Sequence, residues 1–240
     1  MAFYPLAGRL IPWFAVVAVA LMGVGLYMGF FVAPTDFQQG ESYRIIFVHV
    51  PAAWMSMFLY VVMAIWAGVG LGLNARLSFM MAQAVAPTGA MFTFLALLTG
   101  AMWGKPTWGA WWVWDARLTS ELILLFQYAG VMLLRTSIDD QRRADRSSAV
   151  FSLVGVVNVP IIYFSVQWWN TLHQGASVSM STGSKMAATM LMAMLIMTIA
   201  FWLYSIAVIL SRVRCLVVER DSVPAWDEKP AVVKEVVEAR

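Results

Sequence analysis

Five stretches of this chain, residues 10–33, 45–74, 77–104, 147–184 and 186–211, contain no Asp, Glu, Lys or Arg. Each exceeds the roughly 20 apolar residues needed to cross a bilayer. A sixth, 118–134, is interrupted only by Glu121. A water-soluble domain averages roughly 25% charged residues, whereas this chain is 12% charged and 61% hydrophobic. The fold class that follows is all-α: a polytopic integral membrane protein with six transmembrane helices. Lipid offers the backbone no hydrogen-bond partners, so each crossing must satisfy its own as helix. The expected spans are approximately 11–33, 50–72, 79–102, 118–135, 149–167 and 186–210. The first window is longer than a signal-peptide core and lacks a small-x-small cleavage site, so it reads as a retained anchor. Residues 1–211 then form the membrane domain. Residues 212–240, charged and containing Pro224 and Pro230, form a tail expected to be mobile or to await a partner.

The net charge of +3 does not indicate a nucleic-acid partner, because the basic residues cluster between spans. They report topology. With the N-terminus inside, the inner segments hold Arg9, Arg76, Arg135, Arg142, Arg143, Arg146, Arg212, Arg214, Arg220, Lys229, Lys234 and Arg240; only Arg44, Lys105, Arg117 and Lys185 lie outside. The positive-inside rule then places both termini in the cytoplasm. The single Cys215 falls on the reducing inner side. No CxxCH, Walker loop, repeat or paired CxxC occurs, so the chain is not a c-type cytochrome, and any ATP hydrolysis must come from another chain.

Proline is favoured at the first helical position, so the second span is expected to open at Pro51, with His49 at its outer end. Only 17 residues separate Arg117 from Arg135, roughly 26 Å of helix against a 30 Å hydrocarbon core. The apolar residues 103–114 are therefore expected to lie along the outer interface. Asn158 and Pro160 inside the fifth span predict a kink.

Within 103–114, five of the chain's twelve tryptophans occur in twelve positions: Trp103, Trp108, Trp111, Trp112 and Trp114. Flat indoles give a planar apolar ligand a large rigid surface, and Gly104 and Gly109 allow close backbone approach. A porphyrin fits that description; an ordinary interfacial aromatic belt is the alternative. The only two histidines, His49 and His173, both fall on the outer side, beside this segment. Imidazole is an axial ligand of haem iron, so the pair suggests a six-coordinate haem, against a purely structural role for each. Asn170 and Gln174 are positioned in sequence to orient the second imidazole. Met180 or a methionine within 186–197 is an alternative axial ligand, though methionine at such density is ordinarily packing. Asp115, Arg117 and Glu121 form a charged cluster at the mouth of the fourth span. Asp115 and Arg117 either pair with each other, or Arg117, Arg44 or Lys105 meets the haem propionates.

The run Trp108-Gly-Ala-Trp111-Trp112-Val-Trp114-Asp115-Ala-Arg117-Leu resembles the "WWD" signature of haem-handling membrane proteins. His49-Val-Pro-Ala-Ala-Trp54-Met-Ser56 and Trp168-Trp169-Asn-Thr-Leu-His173-Gln-Gly resemble the two histidine segments of the CcmC family, and the likeness runs from the first span through the sixth. The larger cytochrome c synthases that share the signature carry further histidines for a second haem. The resemblance implies a protein of the bacterial inner membrane that holds haem b transiently and without a covalent bond at the periplasmic face. Its site would be His49, His173, Trp108, Trp111, Trp112, Trp114 and Asp115. It further implies delivery to the periplasmic haem chaperone CcmE, with the small membrane protein CcmD and an ABC transporter of CcmA and CcmB as partners alongside membrane lipid. Such a chain binds and transfers rather than catalyses. The competing readings are a membrane haem lyase or electron-transfer protein, which needs a second haem or quinone pocket, and a haem permease, which needs a polar path from the inner side. The sequence offers that path only Asn158, Gln83 and Gln127.

Overall fold

The computed structural model describes residues 3–169, 171–173, 178–179, 183–184 and 186–222. Six helical segments are long and apolar enough to cross a membrane: Phe3–Val32, Glu41–Leu73, Arg76–Trp108, Ala116–Ser137, Gln141–Trp168 and Ala188–Asp221. Helix α1 (Phe3–Tyr27) ends in a π turn (Met28–Val32), closed by the Ala33 amide donating to the Met28 carbonyl at 2.8 Å. A 3-10 turn (Glu41–Ile45) leads into α2 (Ile46–Leu73). Then follow α3 (Arg76–Trp108), α4 (Ala116–Ser137), α5 (Gln141–Gly155), α6 (Asn158–Trp168) and α7 (Ala188–Ser222). Between α6 and α7, β1 (Val178–Ser179) and β2 (Gly183–Ser184) pair antiparallel.

The helix ends have local causes. Asn74 adopts the left-handed conformation (φ 48°) and stops α2. Ala75 then leads straight into α3, so the two helices pack as an antiparallel hairpin. Gly109 (φ 79°) ends α3 in the same way, its amide donating to the Lys105 carbonyl at 3.1 Å. The carboxylates of Asp115 and Asp140 cap α4 and α5, accepting from the amides of Leu118 at 2.8 Å and Arg143 at 2.7 Å. Pro160 has no amide hydrogen for the carbonyl of Val156, and the fifth crossing breaks at 156–157, four residues earlier, into α5 and α6. That is the expected kink.

Several expected boundaries move. Pro51 lies inside α2, not at its first position, because the 3-10 turn starts the crossing earlier; His49 therefore stands in the first turn of α2 rather than outside it. The loop before that turn is folded. Tyr43 donates to the Pro34 carbonyl at 2.6 Å, while Arg44 donates to the carbonyls of Gly29 at 2.7 Å and Ala33 at 3.1 Å and pairs with Glu41. The third helix continues through Trp108, so 103–108 do not lie along the interface. The fourth crossing is not short: its 22 residues span about 33 Å, with Arg117 and Arg135 inside the helix. The last helix runs on to Ser222, past position 211.

The core lies among α2, α3 and α4. Tyr60 and Tyr128 are fully buried, edge to face at 4.9 Å. Gly89 makes room for the second ring, since a Cβ there would stand 2.1 Å from the Tyr128 Cζ. Tyr128 donates to the Ser56 carbonyl at 2.8 Å, Ser56 Oγ to Glu121 Oε1 at 2.7 Å, and Asn158 Nδ2 to the Ser120 carbonyl at 2.9 Å. Glu121 is thus 7% exposed, part of the helix packing rather than of the span's mouth. Helix α1 packs mainly on α7.

The two ends of the bundle differ. At the end holding the 74–75 and 138–140 connections, Asp145 accepts from Arg220 through both oxygens, at 2.8 and 2.9 Å, and pairs with Arg135 at 3.4 Å. Gln83 Oε1 accepts from Arg220 at 3.0 Å and from Arg135 at 3.3 Å. These contacts tie α3, α4, α5 and α7 together. The opposite end gathers the 33–45 loop, the 109–115 loop and the segment after Trp168.

Candidate functional site

At that opposite end lies a cavity of about 260 Å³. His49, Trp54 and Met57 of α2, Trp103 and Trp108 of α3, Arg117 of α4, Tyr163 and Gln167 of α6, Met194 of α7, and His173 line it. Each helix contributes what its end presents. Thr99 and Trp103 are four residues apart on one face of α3, and both turn toward His49.

His49 Nδ1 lies 3.0 Å from Thr99 Oγ1, which itself donates to the Leu95 carbonyl at 2.6 Å. With its hydrogen so used, the threonine oxygen accepts, the proton sits on Nδ1, and Nε2 keeps its lone pair. The imidazole meets the Trp103 ring edge to face at 5.6 Å. Gly100 leaves space for it, since a Cβ there would stand 3.1 Å from the His49 Cε1.

The second histidine repeats the arrangement with a charged partner. His173 Nδ1 lies 3.1 Å from Asp115 Oδ2, and the Trp108 ring meets the imidazole at 4.8 Å. Burial holds this imidazole below the ordinary histidine pKa; the hydrogen bond to Asp115 and its charge act upward, and Arg117 acts downward. A neutral imidazole donating Nδ1–H to a carboxylate presents Nε2 as a basic ligand, the pattern of metal-bound histidines. The donor set therefore fits haem iron: two neutral imidazoles, each with Nδ1 anchored, beside indole walls and one guanidinium.

Of the expected site residues, the cavity brings together His49, His173, Trp103, Trp108 and Arg117. Asp115 reaches it only through His173. Trp111 and Trp114 are 59% and 75% exposed and stand outside it, on the loop that Gly109 turns away from α3. Trp112 packs against Trp114 at 5.3 Å, its indole N–H buried without a partner among the described residues. Asp115 and Arg117 do not pair, because the aspartate is taken up by the Leu118 amide and His173, while Arg117 reaches the Ile162 carbonyl at 3.4 Å. Arg44 is occupied at the 33–45 loop, and Lys105 donates to the Gly109 carbonyl at 3.1 Å. Arg117 is thus the one of the three basic candidates that lines the cavity. Asn170, Gln174, Met180 and Lys185 lie outside the described residues.

The family model for CcmC, heme exporter protein C, matches residues 1–228. The chain belongs to the CcmC family. It is 55% identical over 174 residues to heme exporter protein C of Escherichia coli K12, covering 72% of this chain and 71% of that one. The Bradyrhizobium diazoefficiens protein of the same name is 49% identical over 218 residues, 91% of this chain and 82% of its own. A Marchantia polymorpha relative, named for cytochrome c biosynthesis as a ccmC-like mitochondrial protein, is 50% identical over 159 residues, 66% of this chain and 67% of its own. The stretch matched by the CcmC family model contains every cavity residue.

The WWD resemblance had pointed to the histidines, the tryptophans and Asp115 of this CcmC-family chain but not to their other supports. Thr99, Gly100, Gln39, Tyr163 and Gln167 carry no motif. Gln39 holds the Trp103 indole N–H at 2.8 Å. The one available signal was spacing, since Thr99 precedes Trp103 by a helical turn.

Proposed function

We propose that this chain binds haem between His49 and His173 and hands it on during cytochrome c maturation. The observation that carries the reading is the pair of imidazoles, each with Nδ1 held by a hydrogen-bond partner, lining one tryptophan-walled cavity. The name heme exporter protein C borne by its relatives supports haem as the cargo.

In this reading Trp103 and Trp108 flank the macrocycle, Arg117 meets a propionate, and Asp115 orients His173 without touching iron. The cavity, about 260 Å³, is smaller than the roughly 300–1,000 Å³ of sites that engulf a drug-sized ligand. A bound macrocycle therefore keeps an edge outside, beside exposed Trp111 and Trp114. That suits transient, non-covalent holding and transfer to a CcmE-type periplasmic chaperone. Arginines concentrate at the end carrying the termini, which supports a cytoplasmic location for that end in the bacterial inner membrane. The site then faces the periplasm. CcmD-type and CcmA/CcmB-type partners complete the assembly, the last supplying ATP hydrolysis.

The test is the absorption spectrum of the protein purified from haem-making cells, compared with His49→Ala and His173→Ala. A six-coordinate low-spin spectrum lost in either variant is the expected result. An unchanged spectrum in both would remove the assignment.

A further inference from the structure

A shallow surface hollow adjoins the cavity. Of about 350 Å³, it lies along the seam between α2 and α6, lined by apolar and aromatic side chains including Phe58, Val61, Val159 and Phe164. It shares Met57 and Tyr163 with the histidine cavity. Val61 is twelve residues along α2 from His49, about 18 Å by helical rise, so the seam runs from hydrocarbon depth up to the site. Its outer rim is exposed: Phe58 is 45% and Tyr163 59% accessible.

We propose that this seam is a lateral portal through which haem passes between the bilayer and the histidine cavity, with Met57 and Tyr163 at its threshold. The inference rests on the haem reading of that cavity and adds the route. Haem is a flat apolar ring with a charged edge, and it partitions into bilayers with that edge toward the headgroups. An apolar slot that opens sideways into hydrocarbon and ends at Arg117 matches the polarity in that order. Ring contacts fix the aromatic side chains that line it. On α2, Phe58 stacks on Trp202 of α7 at 5.4 Å. On α6, Phe164 stacks on Trp168 at 5.2 Å and meets Tyr163 edge to face at 4.9 Å. The break at 156–157 makes α6 a separate short helix, fixed at its inner end by Asn158 donating to the Ser120 carbonyl.

The test uses the full chain in vesicles of phosphatidylethanolamine and phosphatidylglycerol, with ferric haem added to the lipid beforehand. The rate of appearance of the six-coordinate spectrum is followed for wild type, Val61→Trp, Val159→Trp and a control, Val19→Trp on the lipid face of α1. Expected are loading at least tenfold slower in the two seam variants, an unchanged final spectrum, and a wild-type rate in the control. Wild-type rates in both seam variants overturn the portal while leaving the site intact. If the Trp variants fail to reach the wild-type end point, Val61→Ala and Val159→Ala decide: a widened slot loads faster, and an unchanged rate rejects the proposal. Failure of wild type to form the spectrum rejects the site itself.

Discussion

The Asp115 carboxylate is divided between two tasks: Oδ1 accepts from the Leu118 amide at 2.8 Å and Oδ2 holds His173 Nδ1 at 3.1 Å. One side chain thus fixes both where α4 begins and where the second imidazole points. Substitution separates the tasks. Asn caps a helix about as well as Asp, so Asp115→Asn is expected to leave thermal stability near wild type. It removes the charge behind the imidazole, and supporting groups of this kind are worth roughly 10–100-fold in ligand affinity. Haem titration of the variant should show a loss in that range. Asp115→Ala should add about 1 kcal/mol of destabilisation from the lost cap.

Thr99 plays the matching part for His49. Thr99→Val keeps the shape but removes the side-chain partner of Nδ1, a loss of about 0.5–1.5 kcal/mol for one hydrogen bond. The expected outcome is roughly tenfold weaker haem binding, with a partial shift from low-spin to high-spin absorption. Thr99→Ser should restore both. Wild-type affinity in Thr99→Val would mean the threonine does not set the tautomer.

The tryptophans are expected to split into two groups. Trp108 contacts His173 and lines the cavity, so Trp108→Ala should weaken equilibrium haem binding by about tenfold, in line with aromatic contacts of roughly 0.5–1.5 kcal/mol plus lost burial. Trp114 is 75% exposed and off the cavity, and Trp114→Ala should bind haem like wild type. Its defect, if the exposed edge is used in transfer, should appear in the rate of handover to a CcmE-type chaperone.

At the far end, Asp145 is the acceptor for both Arg135 and Arg220. Removing one partner of a buried ion pair leaves the other charge uncompensated, typically at 3–5 kcal/mol. Asp145→Ala should therefore lower the melting temperature in detergent markedly while leaving the haem spectrum of the folded fraction unchanged. Arg76→Ala, whose pair with Asp221 is exposed, should change stability by about 1 kcal/mol or less.

The six crossings were legible because lipid imposes a test that the amino-acid order meets or fails directly. That the two imidazoles would be candidates for one site was legible for a simpler reason: His49 and His173 are the chain's only histidines, and both line the cavity. Their contacts were not: Thr99 lies 50 positions from His49, and Asp115, though marked by its motif, lies 58 from His173, the partner the structure gives it. Such contacts exist only once helices have packed. The tryptophan cluster misled in a specific way. Its density marked a segment of which Trp103 and Trp108 line the cavity, but Gly109 ends α3 in its midst and sends Trp111 and Trp114 out of it. Boundaries near 33–45 and 103–108 were misplaced because polar side chains there satisfy backbone carbonyls that hydropathy leaves out of account.

The Asp145 tie holds four helices at one extremity and the cavity lies at the other, so the bundle is a set of levers sharing a fulcrum. A tilt of about 3° over the roughly 33 Å length of α4 moves its free end by close to 2 Å, comparable to an iron–imidazole bond. The separation of His49 from His173 across the cavity is therefore sensitive to rotations of a few degrees about the Asp145 end.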